Sequence, residues 1–213
     1  DRFYNNLGLV EKAQGRLEAA RAAFEHSVTI SRKLGTADSE ARILMNMGQT
    51  VMLSEDLDEA LRLMRSANDI YRRIQARGGL LSGFINEGAL LIELGHHEEA
   101  REILDEAVRL GTTLASFQLL QVARSSRGLA SAHLGEVDAG RVQIQQSIDA
   151  VRADGNVMYL PTLQALLAQV ELLAGRHDEV QRLLGVLRSH NSQNSELLRA
   201  IAQIERGVGL HPV

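Results

Sequence analysis

NNLG at residues 5–8, MNMG at 45–48, INEG at 85–88 and SSRG at 125–128 are one motif written four times. Each ends in glycine, and each lies in a stretch whose apolar residues recur at helical spacing, as in Ile43, Met47 and Val51. Asn and Gly are poor helix residues, about 0.7 and 1 kcal/mol worse than Ala. A costly pair kept at a 40-residue interval inside helix implies a fold built from one repeated part.

Other columns keep the same step. Gly8, Gly48, Gly88 and Gly128 lead to Ala168; Gly15, Gly95, Gly135 and Gly175 share a column with Glu55. Ala20, Ala60 and Ala100 continue as Gly140 and Val180; Phe24, Met64, Leu104, Ile144 and Leu184 are large and apolar. Ser27, Ala67, Ala107 and Ser147 are small, and Glu18, Asp58, Glu98, Asp138 and Asp178 are acidic. Five repeats fit without an insertion, at approximately 1–35, 36–75, 76–115, 116–155 and 156–191.

Each repeat reads as two helices. The first breaks near LSEDLDEA, LGHHEEA, LGEVDAG or AGRHDEV, where Gly or an acidic turn interrupts the pattern. LGTADSE, QARGG and ADGN link one repeat to the next, with Asp38 or Ser39 expected to cap the following helix. A Gly facing an Ala lets two backbones approach toward the short end of the packing range, about 8 Å. The Phe24 column is then expected to fill the gap between neighbouring repeats. Residues 192–213 supply a capping helix, QNSELLRAIAQIERG at 193–207, and a tail, because a stacked array exposes an apolar face at its last repeat.

Composition supports a soluble, helix-rich chain. The chain has 213 residues, of which 45% are hydrophobic and 23% charged, and it has only two Pro and no Trp. The net charge of −4 and the lack of a Lys/Arg run exclude an electrostatic nucleic-acid surface. No apolar run approaches the ~20 residues of a membrane span. With no Cys there are neither disulfides nor thiolate metal sites, which fits a cytoplasmic setting. No Met opens the chain and Asp1–Tyr4 already reads as helix, so a longer parent protein is expected.

These small and large columns resemble the tetratricopeptide repeat, lengthened from the usual ~34 residues. The 40-residue form is similar to the repeats of kinesin light chain and of the spindle adaptor that binds G-protein alpha subunits. It is also similar to the helical regions of bacterial regulators of the maltose-activator and Rap types. The resemblance implies an all-α, right-handed superhelix of five helix pairs plus a C-terminal capping helix, with first helices lining a concave groove. It covers nearly the whole chain but decays along it. The family's Trp column reads Tyr4, Leu44, Phe84, Arg124 and Gln164, and the Leu7 column holds Glu87 and Arg127. The fourth repeat, with Gly128, Gly135 and Gly140 close together, is expected to be a bend or soft point. The fifth replaces both small residues, so its helices are expected to sit apart.

If Gly8 packs on its partner helix, Asn5, Asn6, Leu9, Lys12 and Ala13 lie toward the groove. Asn6, Asn46 and Asn86 then form a ladder, with Ser126 as a shorter rung. An amide both donates and accepts, so such a row suits the backbone of an extended peptide; the resemblance implies that use of the column. Arg2 and Arg42 add charge-assisted bonds to an acidic side chain or carboxylate. Gln49 lies on the same face, Met45, Met52, Ile85 and Ile92 offer apolar contact, and Glu93 adds charge selection.

No catalytic set can be proposed. HHEEA at 96–100 lacks the second metal-binding His, and GGLLSG at 78–83 lacks the Lys-Ser/Thr of a phosphate loop. The first reads as the start of a second helix, the second as the turn between two repeats. No cofactor and no metal are expected, and the remaining histidines (26, 133, 177, 190 and 211) are scattered. The expected function is a scaffold that captures a peptide or protein segment, acidic in character, with no nucleic acid or membrane partner. Two alternatives stand beside it. One is the ligand-sensing segment of a multidomain bacterial signalling or transcription regulator; the other is self-assembly through an exposed end repeat.

Overall fold

The computed structural model describes residues 1–189 and 195–209. The described residues form eleven helices and no strand: α1 Arg2–Ala13, α2 Leu17–Leu34, α3 Ala37–Leu53, α4 Leu57–Arg73, α5 Arg77–Glu93 and α6 His97–Thr113. There follow α7 Phe117–His133, α8 Val137–Asp154, α9 Leu160–Leu173, α10 His177–Ser189 and α11 Ser195–Gly207. The fold is an all-α repeat array, with helix starts recurring as the 40-residue columns require. The expected cap and tail lie partly outside the described residues. The chain divides into two compact parts, Asp1–Leu90 and Leu91–Val213.

A left-handed residue follows helix after helix. Gly15, Gly35, Gly95, Gly135, Gly155 and Gly175 take φ between 67° and 95°. Glu55, Gln75 and Ala115 hold the same position at φ 64°, 56° and 49°. The turn therefore recurs every 20 residues, after second helices as well as first. A left-handed residue reverses the chain and satisfies the last helical carbonyls, as Gly35 does by donating to Arg32 O.

In the N-terminal part, α1 packs on α2, and α3 packs on both α2 and α4. The Gly8 column works differently from the expectation. A Cβ on Gly8 would lie 2.6 Å from the buried Phe24 ring, so the large column nests into the glycine of its own helix pair. A Cβ on Gly48 would lie 3.0 Å from Met64 Cγ and 3.2 Å from Ala60 O, so Met64 and the α4 backbone take that space. GGLLSG is not a turn: these residues lie inside α5, and the turn precedes them at Gln75. Gly79 makes room for the Tyr71 ring, at 2.5 Å from an added Cβ, and a Cβ on Gly83 would overlap Asn68 Oδ1. Asp38 and Ser39 do not cap α3. Thr36 is the N-cap, and Asp38 lies with Glu40 in the first turn, where acids favour the positive end of the helix dipole.

In the C-terminal part, α7 packs on α6, α8 and α9, and α9 packs on α8, α10 and α11. Gly128 and Gly140 do not interrupt the helices of the fourth repeat. α7 and α8 are continuous, and a Cβ on Gly140 would overlap the carbonyl oxygen of Gly128. These glycines make a close backbone crossing, the contact that small residues permit. α9 begins only at Leu160, after a link that exposes Val157 and Met158, with Pro161 in its first turn.

Charged residues in semi-apolar columns are matched by partners. Glu87 is buried and accepts from Arg65 Nε at 2.9 Å and Asn68 Nδ2 at 2.7 Å. One repeat later, Arg127 pairs with Asp105, the same two columns with the charges exchanged. Fully buried Glu171 accepts from Arg141 at 2.7 Å and from Arg176. A buried carboxylate needs such compensation, since its unpaired burial costs several kcal/mol.

Candidate functional site

Residues one position apart take different environments on the first helices of the N-terminal part. Arg2, Asn6, Leu9 and Ala13 are exposed on α1. Their counterparts on α3 are Arg42, exposed, and Asn46, Gln49 and Leu53, half-buried. On α5 Ser82 and Asn86 are half-buried and Ala89 is exposed. The steps of four, three and four residues define one face of a helix. Asn6, Asn46 and Asn86 hold equivalent positions on this side of their helices, the first exposed and the other two half-buried, with Arg2 and Arg42 exposed one turn earlier on α1 and α3.

The neighbouring column is closed. Asn5 is 2% exposed, Met45 6% and Ile85 8%. Met45 Cε reaches to 3.2 Å from the Cβ position of Gly83, so this side chain packs between helices. Met45 and Ile85 are therefore core residues and not groove wall, a correction to the sequence reading. The reason is angular: a residue one position off the open face is rotated by about 100° into the neighbouring helix.

Asn5, also buried, has become part of the site's support. Asn46 Nδ2 donates to Asn5 Oδ1 at 3.0 Å, and Asn5 Nδ2 reaches Asn6 Oδ1 at 3.5 Å. Lys12 Nζ donates to Gln49 Oε1 at 3.3 Å. The open face of α1 and α3 is thus tied by two polar links. Arg42 Nη2 lies 3.4 Å from Ser39 Oγ, a contact within its own helix. A first-helix Asn one residue before an Asn was a signal that the paired NN of 5–6 carried from the start.

Ser126 belongs to the C-terminal part and is 3% exposed, and Leu129, three residues on along α7, is 2% exposed. It is not an open rung. At the end of α7, His133 stacks on His97, with ring centroids 4.3 Å apart. Burial, and then the charge of His97, hold the His133 imidazole below its ordinary value. His97 opens α6, so HHEEA is a helix start as expected. Among the described residues no cluster of three or more His, Asp or Glu could hold a metal ion. No described helix is long and apolar enough to cross a membrane.

Tetratricopeptide-repeat family models match residues 2–73, and 82–106 and 161–185, together more than half of the chain. The unmatched stretch includes the fourth repeat, where Arg124 and Arg127 depart from the pattern. No curated protein matches. Among solved structures, a Rap protein complexed with competence and sporulation factor has a TM-score of 0.76 at 15% identity. That similarity covers 97% of this chain and 59% of the Rap protein, so the chain spans little more than half of that relative's length. The repeats of a kinesin light chain from Podosopora anserina have a TM-score of 0.67 at 17% identity, covering 93% of this chain and 96% of theirs. A repeat protein of Thermus thermophilus has a TM-score of 0.67 at 20% identity, covering 95% and 97%. The repeat columns, the paired helices and the family matches agree, and the chain belongs to the tetratricopeptide-repeat family of helical protein-interaction scaffolds.

Proposed function

We propose that the N-terminal part captures an extended peptide or protein segment along the open face of α1, α3 and α5, without chemistry. The observation that carries this reading is the amide row. Asn6, Asn46 and Asn86 hold the same position on α1, α3 and α5, and buried Asn5 accepts a hydrogen bond from the middle amide. An amide offers two donor hydrogens and a two-lone-pair acceptor, so the single bond to Asn5 leaves Asn46 capacity for a ligand backbone. Arg2 and Arg42, both exposed, favour an acidic side chain or terminal carboxylate in the bound segment. Gln49 extends the polar row by about one turn.

The test is a peptide-array binding screen of the chain beside an Asn46→Ala/Asn86→Ala variant of matched helicity. Loss of two backbone bonds weakens capture by roughly 10- to 100-fold. Equal binding by both proteins overturns the role of the amides. Acidic peptides should lose affinity as salt rises and on Arg42→Glu.

A second reading has one supporting observation. The Rap protein similar to this chain was solved with competence and sporulation factor bound. In that reading the captured segment is a signal, and the chain is the sensing region of a larger cytoplasmic regulator. A self-assembly reading draws on α1, where Phe3 and Val10 are 72% and 51% exposed. Light scattering across a concentration series separates it from peptide capture, since only assembly makes mass rise with concentration.

A further inference from the structure

We propose that the first-helix face of the C-terminal part is a docking site for an amphipathic helix bearing one arginine, and that α11 is its intramolecular occupant. This inference does not depend on the asparagine row, which lies in the other part and suits an extended ligand.

The placement of α11 carries the argument. A simple end cap would touch only the last helix pair. α11 packs on α9, and its Gly207 lies so close to Leu172 that an added Cβ would clash with that side chain. Yet Arg199, eight residues earlier, grips Glu93 through both carboxylate oxygens, at 2.7 and 2.5 Å. Gln203 Nε2 adds a third bond to Glu93, at 2.9 Å. Arg199 and Glu93 are 106 residues apart in sequence. Glu93 is the last residue of α5; beyond the turn at Gly95, His97 opens α6 and stacks its ring on His133 at the end of α7. α11 therefore reaches from Leu172, near the C-terminal end of α9, to Glu93 at the C-terminal end of α5. Eight residues of helix span about 12 Å, more than one interaxial spacing of about 8–10 Å.

The site has a defined chemistry. Leu197, Ile201 and Ile204 are buried, forming an aliphatic stripe at steps of four and three on the inner face of α11. Ser126 and Leu129, the open-face positions of α7, are buried, whereas Asn46 and Gln49 of the same columns are half-open. The Arg199 and Glu93 side chains are 16% and 24% exposed, and the pair lies at the rim of the covered face, where Glu93 as a whole is exposed. Arg188 of α10 holds Glu205 at the opposite flank, at 2.6 Å. A partner that fits is a helix with aliphatic residues at i, i+4 and i+7 and an arginine at i+2.

Being tethered to α10 by five residues, α11 competes with an effective concentration in the millimolar range. An outside helix binds well only when α11 is released. Breaking one charge contact in cis is enough to shift that balance, because the outside helix still finds Glu93 intact.

The experiment titrates a labelled, end-blocked peptide of residues 195–209 with the full chain by fluorescence anisotropy. The wild-type chain should bind it weakly. Arg199→Glu in the chain should tighten binding by about tenfold or more, the scale of a charge-assisted contact. Glu93→Arg/Arg199→Glu, with the pair re-formed in reverse, should close the site and return binding to the weak level. A peptide carrying Arg199→Glu should bind the Arg199→Glu chain poorly. Circular dichroism confirms that each chain is folded, and the chains differ only at groups outside the buried core. Equal binding by wild-type and Arg199→Glu chains, or tight binding by the reversed pair, would overturn the proposal and make α11 a fixed part of the fold.

Discussion

A single hydrogen-to-methyl change has opposite signs at two glycines of this chain. Gly140 sits against the Gly128 carbonyl, and backbone cannot move aside as a side chain can. Gly140→Ala should destabilise by about 1–3 kcal/mol through overpacking. Gly185, in α10, has nothing within 4 Å of its Cβ position. Gly185→Ala should stabilise by about 0.5–1 kcal/mol, from helix propensity alone. Urea midpoints at constant m-value check both. His133 gives a pH signature. Its imidazole titrates below its ordinary value because burial and His97 disfavour the charged form. The unfolded chain binds that proton first, so stability is full above about pH 6.5 and falls as pH drops below it. His133→Gln should flatten the decline in melting temperature as the pH falls from neutral through the histidine range; an unchanged slope would assign the decline to other groups.

At the scale of the elements, the turns and the charge pairs set the register. Glu55, Gln75 and Ala115 stand where six glycines occupy the equivalent turns. A side chain in the left-handed region costs about 1–2 kcal/mol. Glu55→Gly should therefore stabilise, by about 0.5–1 kcal/mol after the glycine's extra unfolded-state entropy, read from thermal or urea melts. Arg65–Glu87 and Asp105–Arg127 are one contact with its charges exchanged. Arg65→Glu should cost about 1–2 kcal/mol, moderated because the arginine is 42% exposed in its side chain. Arg65→Glu/Glu87→Arg should recover most of that loss, and a double-mutant cycle measures how much. Glu87 and Arg127 look like flaws when each column is read alone. Their partners sit 22 positions away on another helix, a distance that column reading never spans.

Across the molecule, stability should follow the amount each helix buries, since a repeat helix is held by its neighbours. α1 buries only Asn5 and Gly8, whereas α7 buries ten residues, including Val122, Leu129 and Ala130. Amide exchange should be fastest in α1 and slowest in α7, as read by mass spectrometry of exchanged peptides. Equal protection in the two helices would contradict a nearest-neighbour account.

The repeat, the helix pairs and the family are legible in the order of residues alone. Periodic small, large and acidic residues act through local helix geometry, and that geometry can be read one residue at a time. The equivalent helix positions of Arg2 and Arg42, of Asn6, Asn46 and Asn86, and of Gln49 were legible for the same reason, and the use proposed for them is not. The closure of Met45, Ile85 and Ser126 came from packing, because burial depends on which helix lies beside each position. Packing likewise made Gly78–Gly83 continue a helix, where Tyr71 and Asn68 fill the space that side chains would take. The seat of α11 on Glu93 belongs to the same class. An amphipathic stripe says that a helix will bury one face, and only the packed chain says against what.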